Sequence, residues 1–152
     1  IVLDRGANSG IYENMGVITP NREFVGTVVS CSEKYAIVMP LLNTRFKIGG
    51  RLVGSDYVCS IYWEGVSQYD VTAVEISKYA EPKEGMIVNV ESDRLPLDVK
   101  IGTIESSEIN ASKSAYSAEL RIAADMQSLS NLLVVENTEQ QQLNELIDLF
   151  QN

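Results

Sequence analysis

Apolar residues along this chain fall in short runs broken by glycine, proline and polar pairs, a spacing that suits strands and gives almost no helical period. Ile1-Val2-Leu3-Asp4 reads as the end of a strand, followed by a turn-rich stretch with Gly6, Asn8, Ser9 and Gly10. Val17-Ile18-Thr19 is a short strand stopped by Pro20-Asn21. Phe24 to Val29 is apolar on both faces, as expected of a central or barrel-forming strand. Tyr35-Ala36-Ile37-Val38-Met39 is also continuously apolar, and Pro40 limits its pairing. Further strands are predicted over 46–53, 57–63, 71–76 and 86–90, with Gly49-Gly50 read as a bulge or turn. Tyr116 to Ala123 alternates cleanly: Tyr116, Ala118, Leu120 and Ile122 fall on one face, Ser117, Glu119 and Arg121 on the other. One helical turn is predicted over 125–131, and Leu132-Leu133-Val134-Val135 closes the β-region. The pattern predicts an all-β barrel or sandwich, and a barrel also removes exposed strand edges.

Two of these runs echo one another. Val25-Gly26-Thr27-Val28 returns as Ile101-Gly102-Thr103-Ile104, and Met15-Gly16-Val17-Ile18 precedes the first as Glu84-Gly85-Met86-Ile87-Val88 precedes the second. A glycine inside a strand marks a bulge or the close approach of another backbone. Gly16, Gly26, Gly85 and Gly102 are therefore assigned architectural roles in two related β-units. The preferred division builds one discontinuous barrel from 1–32 and 80–137, with 33–79 inserted as a second; the alternative is tandem barrels over 1–80 and 81–137.

The end of the chain has a different period. Thr138 with Gln141 has the form of a capping box, and Leu143, Leu146, Ile147 and Phe150 then make one narrow helical stripe. A helix of about 13 residues is marginal alone in water. The stripe in 138–152 thus needs a partner: its own barrel, another copy or a different protein. Its polar side carries Glu139, Glu145 and Asp148 without Lys or Arg, which disfavours a membrane-surface role.

Composition narrows the chemistry. The net charge of −9 argues against general nucleic-acid binding, where Lys and Arg must replace phosphate counterions, and against attachment to anionic lipid. No apolar run approaches the length that crosses a bilayer as a helix. The chain has no histidine, which removes the usual general base, the commonest metal ligand and every His-containing triad. Cys31 and Cys59 are too few for a structural zinc site; one disulfide is conceivable by count, while Cys59 on a strand face reads as a buried thiol. No catalytic, metal or cofactor motif is found, and Asn110-Ala111-Ser112 is a chance-level glycosylation triplet. A carboxylate-based cell-envelope hydrolase and a small-ligand-binding barrel stand as alternatives. The favoured reading is a non-enzymatic interaction module. Its partner-binding candidates are Tyr57, Tyr62, Trp63, Tyr69 and Tyr79, near turns, with Leu143, Leu146, Ile147 and Phe150 of the terminal stripe.

The order of these motifs resembles the extracytoplasmic β-domain of the MreC family of rod-shape-determining proteins. The likeness is carried by Asp4-Arg5-Gly6, Gly10, Met15-Gly16-Val17-Ile18, Phe24-Val25-Gly26-Thr27-Val28 and the run from Tyr35 to Asn43. It continues through Glu84-Gly85-Met86-Ile87-Val88, Pro96 with Ile101-Gly102-Thr103-Ile104, and Leu129 to Asn137. Two positions depart: Glu91-Ser92-Asp93 stands where the family usually has Thr-Ser-Gly, and Asp98 where it usually has glycine. The resemblance implies two small β-barrels, a homodimer or higher assembly, no catalysis and no cofactor. It implies a scaffold of the cell-elongation machinery on the outer face of the bacterial inner membrane, anchored by an N-terminal helix upstream of this sequence. Implied partners are a class B penicillin-binding transpeptidase, MreD and, through the absent N-terminal region, MreB filaments.

Overall fold

The computed structural model describes residues 1–96 and 98–136. Eleven strands follow in chain order: β1 (Val2–Leu3), β2 (Gly16–Ile18), β3 (Phe24–Cys31), β4 (Ala36–Pro40), β5 (Lys47–Leu52), β6 (Val58–Tyr62), β7 (Asp70–Ser77), β8 (Ile87–Glu91), β9 (Lys100–Ile109), β10 (Ala115–Ile122) and β11 (Leu133–Val135). They form two antiparallel units. An open sheet of five strands runs β1-β4-β3-β2-β11, and a closed barrel of six runs β10-β7-β6-β5-β8-β9. The predicted all-β architecture is what forms. The predicted helical turn over 125–131 is instead a series of bends and turns, ended by Asn131 in a left-handed conformation.

The glycine echo is the visible part of a longer structural repeat. In the open sheet Gly16 pairs Thr27, Val17 pairs Gly26, and a bulge then sets Ile18 opposite Phe24. In the barrel Ile87 pairs Thr103, Val88 pairs Gly102, and a bulge sets Asn89 opposite Lys100. On the other side of the central strand, Gly26, Thr27 and Val28 face Pro40, Met39 and Val38, while Gly102, Thr103 and Ile104 face Ile122, Arg121 and Leu120. A second bulge follows in both, at Val29 and at Glu105. Turn bonding repeats as well. The Val28 amide donates to the Met15 carbonyl (2.9 Å) and the Ile104 amide to the Met86 carbonyl (2.8 Å). The amides of Tyr12 and Lys83 each donate to the sulfur of the methionine three residues on, Met15 or Met86, at 3.3 and 3.4 Å. Hence Gly85 is the counterpart of Asn14, not of Gly16, and both carry positive φ (92° and 73°). Gly16 is glycine for a different reason. A Cβ there would meet Leu95 Cδ2 at 2.0 Å, and Leu95 is buried.

The two units are therefore one meander used twice, and the division of the chain differs from that expected. The barrel takes 47–122, and it is this segment that is inserted into the open sheet, which takes 2–40 and 133–135. A barrel from 1–32 and 80–137 does not form, and neither does the tandem split at 80/81. The reason is pairing: β5 and β7, from the segment expected to fold separately, hydrogen-bond to β8 and β10, while Gly26 and Gly102 lie in different sheets. Likeness between the two signature strands reflects repetition, not a shared sheet. The Gly49-Gly50 pair is also not a turn. It lies in regular register within β5, where a Cβ on Gly50 would meet Val88, Cys59 and Ile61 at 2.9–3.0 Å, so glycine makes room in a narrow barrel.

Both interiors are filled by side chains. Val17, Val25, Val28, Ala36 and Val38 pack in the open unit; Leu52, Ile61, Ala73, Val88, Ile101, Ile104 and Leu120 pack in the closed one. The units meet where β3 begins. Glu23 makes a parallel bridge with Lys100, whose amide donates to the Arg22 carbonyl (3.0 Å), and the Arg22 guanidinium pairs with Asp98. Asp98 thus ties one turn to the other, and this pairing holds its carboxyl below its ordinary range.

The repeated glycines give a direct test. A Cβ on Gly26 would lie 2.2 Å from the Met39 carbonyl oxygen, and one on Gly102 would lie 2.2 Å from that of Arg121. Gly26→Ala and Gly102→Ala are each expected to destabilise by about 1–3 kcal/mol, since backbone must move. Gly85→Asn should cost less than Gly85→Ala, because Asn already serves at the equivalent turn. Urea unfolding of the variants measures both comparisons.

Candidate interaction surface

The aromatic candidates separate into two groups. β6 and β7 run antiparallel, so Tyr62, Trp63 and Tyr69 gather at the end of the barrel where these strands join, while Tyr57 and Tyr79 sit at the opposite end. At the first end each ring is engaged within the domain. The Trp63 Nε1–H donates to the Ser67 carbonyl (2.7 Å) and holds the loop; the Tyr62 hydroxyl donates to Glu64 (3.4 Å); Tyr69 lies under the Arg121 guanidinium, 5.6 Å from ring centre. Tyr79 is the most exposed of the set at 71%, with Lys78 Nζ 5.1 Å from its ring centre. The structure does not assemble the five into one patch. Leu143, Leu146, Ile147 and Phe150 lie outside the described residues.

Carboxylates gather beside the first group. Arg121 Nε is 3.0 Å from Glu105 and 3.6 Å from Asp70, and the Thr72 hydroxyl donates to Glu119 (3.1 Å). Trp63, Glu64, Asp70, Thr72 and Glu119 line a surface hollow of about 150 Å³. Partial burial pushes the Glu119 carboxyl up, opposed by the Thr72 bond, with Glu64, Asp70 and Glu105 adding repulsion. Arg121 neutralises Asp70 and Glu105, which leaves Glu119 as a carboxylate held by one hydroxyl. Among the described residues no group of three His, Cys, Asp or Glu is placed to hold a metal ion.

Other motifs resolve simply. Cys31 and Cys59 are free thiols, Cys31 in the open unit and Cys59 inside the barrel, where burial pushes its pKa up to about 11. Asn110 organises the β9–β10 turn: its Oδ1 accepts from the Ser112 hydroxyl and from the Ser114 amide at 3.2 and 2.9 Å. Side chains fill the barrel interior, which does not favour the small-ligand-binding reading.

The repeat exposes a surface that sequence inspection missed. Val2, Val29 and Ile37 form an outward row on β1, β3 and β4: Val2 pairs Ile37 across the strands, and Val29 sits at the bulge opposite it. Their exposures are 68%, 41% and 50%. The equivalent positions of the barrel are Thr72, Glu105 and Glu119, all polar. The same backbone thus carries a polar face in one unit and an apolar face in the other. An apolar run such as Ala36-Ile37-Val38 hides this, because Ala36 and Val38 face the core and Ile37 faces out.

Residues 1–136 match the family model described as Rod shape-determining protein MreC, barrel core. The chain belongs to the MreC family. Solved MreC structures share its fold. One from Listeria monocytogenes superposes with a TM-score of 0.80 at 22% identity, covering 89% of this chain and 66% of that one. One from Pseudomonas aeruginosa gives 0.78 at 19% identity, covering 89% and 87%. Another, described simply as MreC, gives 0.79 at 19%, covering 89% and 77%. No curated protein matches the chain by sequence. The match ends at residue 136, and 138–152 lie outside it.

The raised Glu119 carboxyl has a thermodynamic consequence. A carboxyl whose folded pKa exceeds its unfolded value favours the fold while protonated, and that contribution is lost as pH rises through the folded value. Glu119→Gln should therefore be more stable than the parent at pH 7, with the difference shrinking below about pH 4. Thermal unfolding at both pH values measures it; an equal difference at both would contradict the assignment.

Proposed function

We propose that this MreC-family chain is a non-catalytic scaffold of the cell-elongation machinery. It works on the outer side of the inner membrane, where it links a peptidoglycan-synthesising transpeptidase to the membrane and cytoskeletal complex. The observation that carries the reading is the family match over the whole described core. A structural neighbour is described as the major periplasmic domain of the cell shape-determining filament MreC, which supports an extracytoplasmic setting for this chain too. Filled interiors and charge-neutralised surface carboxylates suit a protein that binds through its surface. The hydrolase alternative would draw on the hollow lined by Glu64, Asp70 and Glu119, and the family match does not favour it.

Within this reading the row of Val2, Val29 and Ile37 is the surface that receives the transpeptidase. An apolar row of this kind marks a contact site when its surroundings are polar. The repeat supplies a gentle way to erase it, since the barrel already holds Glu at two of these positions. Val29→Glu with Ile37→Glu should leave the unfolding temperature close to the parent's. In the membrane-anchored protein it should reduce capture of an elongation transpeptidase by at least tenfold and leave cells rounded. Full capture and normal shape by the double variant would remove this surface from the account; loss of folding would show that the repeat is a poor guide to it.

A further inference from the structure

The repeat shows a side chain that one unit lacks and the other supplies. Gly16 of β2 and Ile87 of β8 hold the same register position, paired with Thr27 and Thr103. The barrel has an isoleucine where the open sheet has no side chain at all. That place in the open unit is filled from elsewhere. A Cβ on Gly16 would meet Leu95 Cδ2, Cγ and Cδ1 at 2.0, 3.3 and 3.5 Å, so Leu95 takes the room that a side chain of β2 would need. Leu95 comes from the β8–β9 loop of the barrel and is 2% exposed, against 39% for Ile87.

The loop that carries Leu95 is longer than its counterpart and is held in shape. The β2–β3 turn takes residues 19–23, whereas the β8–β9 loop takes 92–99. The base of the loop is closed by the Val90 amide donating to the Val99 carbonyl (2.8 Å), with Val99 buried. Its tip turns on Ser92, whose hydroxyl accepts from the Arg94 amide (3.2 Å) and whose carbonyl accepts from the Leu95 amide (3.4 Å). The chain itself passes between the units at 41–46 and 123–132, and Phe46 on the first crossing packs on Phe24 with ring centres 5.8 Å apart. Leu95 is a further tie, from a loop that is not a connection. The equivalent turns also meet through Arg22 and Asp98, but that pair is exposed on both sides, and exposed ion pairs hold little. A buried leucine holds more.

Linked units move relative to one another unless an apolar interface stops them. We propose that Leu95 is the clasp that fixes the barrel on the open unit, standing in for the side chain that Gly16 does not have. The glycine is the socket and the leucine is the peg. With the clasp closed, the apolar row on the open unit and the polar face of the barrel are carried at one fixed angle. With it undone, the units flex about their two connections although each keeps its own sheet.

Residual dipolar couplings of the full chain test it, in the parent, Leu95→Ala, Asp98→Asn, and Leu95→Ala combined with Gly16→Ile. In the parent and in Asp98→Asn, one alignment tensor should fit the amides of β3 and β9 together. In Leu95→Ala each unit should need its own tensor. The Hα contacts of Gly26 with Pro40 and of Gly102 with Ile122 should persist there, which shows that both units are folded. The double variant gives β2 the side chain that β8 already carries. It refills the vacated place without restoring the tie, so it too should need two tensors. A single tensor in either leucine variant would overturn the proposal, as would two in the parent or in Asp98→Asn. Unfolding of both leucine variants would overturn it as well, since Leu95 would then be ordinary core and not a clasp.

Discussion

The fold depends on two crossings at which a strand passes so close to its neighbour that no side chain fits between them. At Gly26 the obstacle is the carbonyl of Met39, and at Gly102 that of Arg121. Each crossing lies between two bulges, one against the preceding strand and one against the following strand. Bulges sharpen twist, and strong twist is what lets short strands curl around a narrow core. The β-branched flanks then become core: Val25 and Val28 in one unit, Ile101 and Ile104 in the other, are buried.

The same meander has been completed in two ways. In the second unit the β5–β6 hairpin bridges β8 and β7 and shuts the barrel, and Gly50 provides the space for Val88, Cys59 and Ile61 to meet. In the first unit a late return, β11, adds to β2, and among the described residues the ring stays open. The units also differ outside. Salt bridges and hydroxyl contacts cover the barrel at Thr72, Glu105, Glu119 and Arg121, while the open unit shows Val2, Val29, Ile37 and Met39 at the matching positions. One backbone plan thus carries two different surfaces, an apolar row on the open unit and a polar face on the barrel.

Much of this was legible from residues 1–136. Strand identity followed from short apolar runs and turn residues, and the Tyr116–Ala123 alternation matches the burial of Ala118, Leu120 and Ile122. The echo around Gly26 and Gly102 pointed to related units because both crossings demand glycine between β-branched neighbours. The pairing of strands was not legible, since it joins residues far apart and no local signal distinguishes β8 beside β5 from β8 beside β2. Asn14 and Gly85 share only a left-handed backbone, so their equivalence is invisible in the letters. In the letters Asp98 is only a departure from the resembled pattern; its bond to Arg22 needed three dimensions. The outward row was concealed inside apolar runs, where sequence does not say which side faces water.

The repeat is the central claim, and nuclear Overhauser spectroscopy tests it most directly. Pro40 has no amide, so Gly26 and Pro40 form a non-hydrogen-bonded pair whose Cα atoms lie about 4.5 Å apart, and Gly102 with Ile122 is its counterpart. Strong Hα–Hα cross-peaks are predicted for both pairs, together with a bulge pattern that skips Val25 in one unit and Ile101 in the other. A cross-peak at one glycine without the other, or a direct peak between Gly26 and Gly102 themselves, would contradict the account.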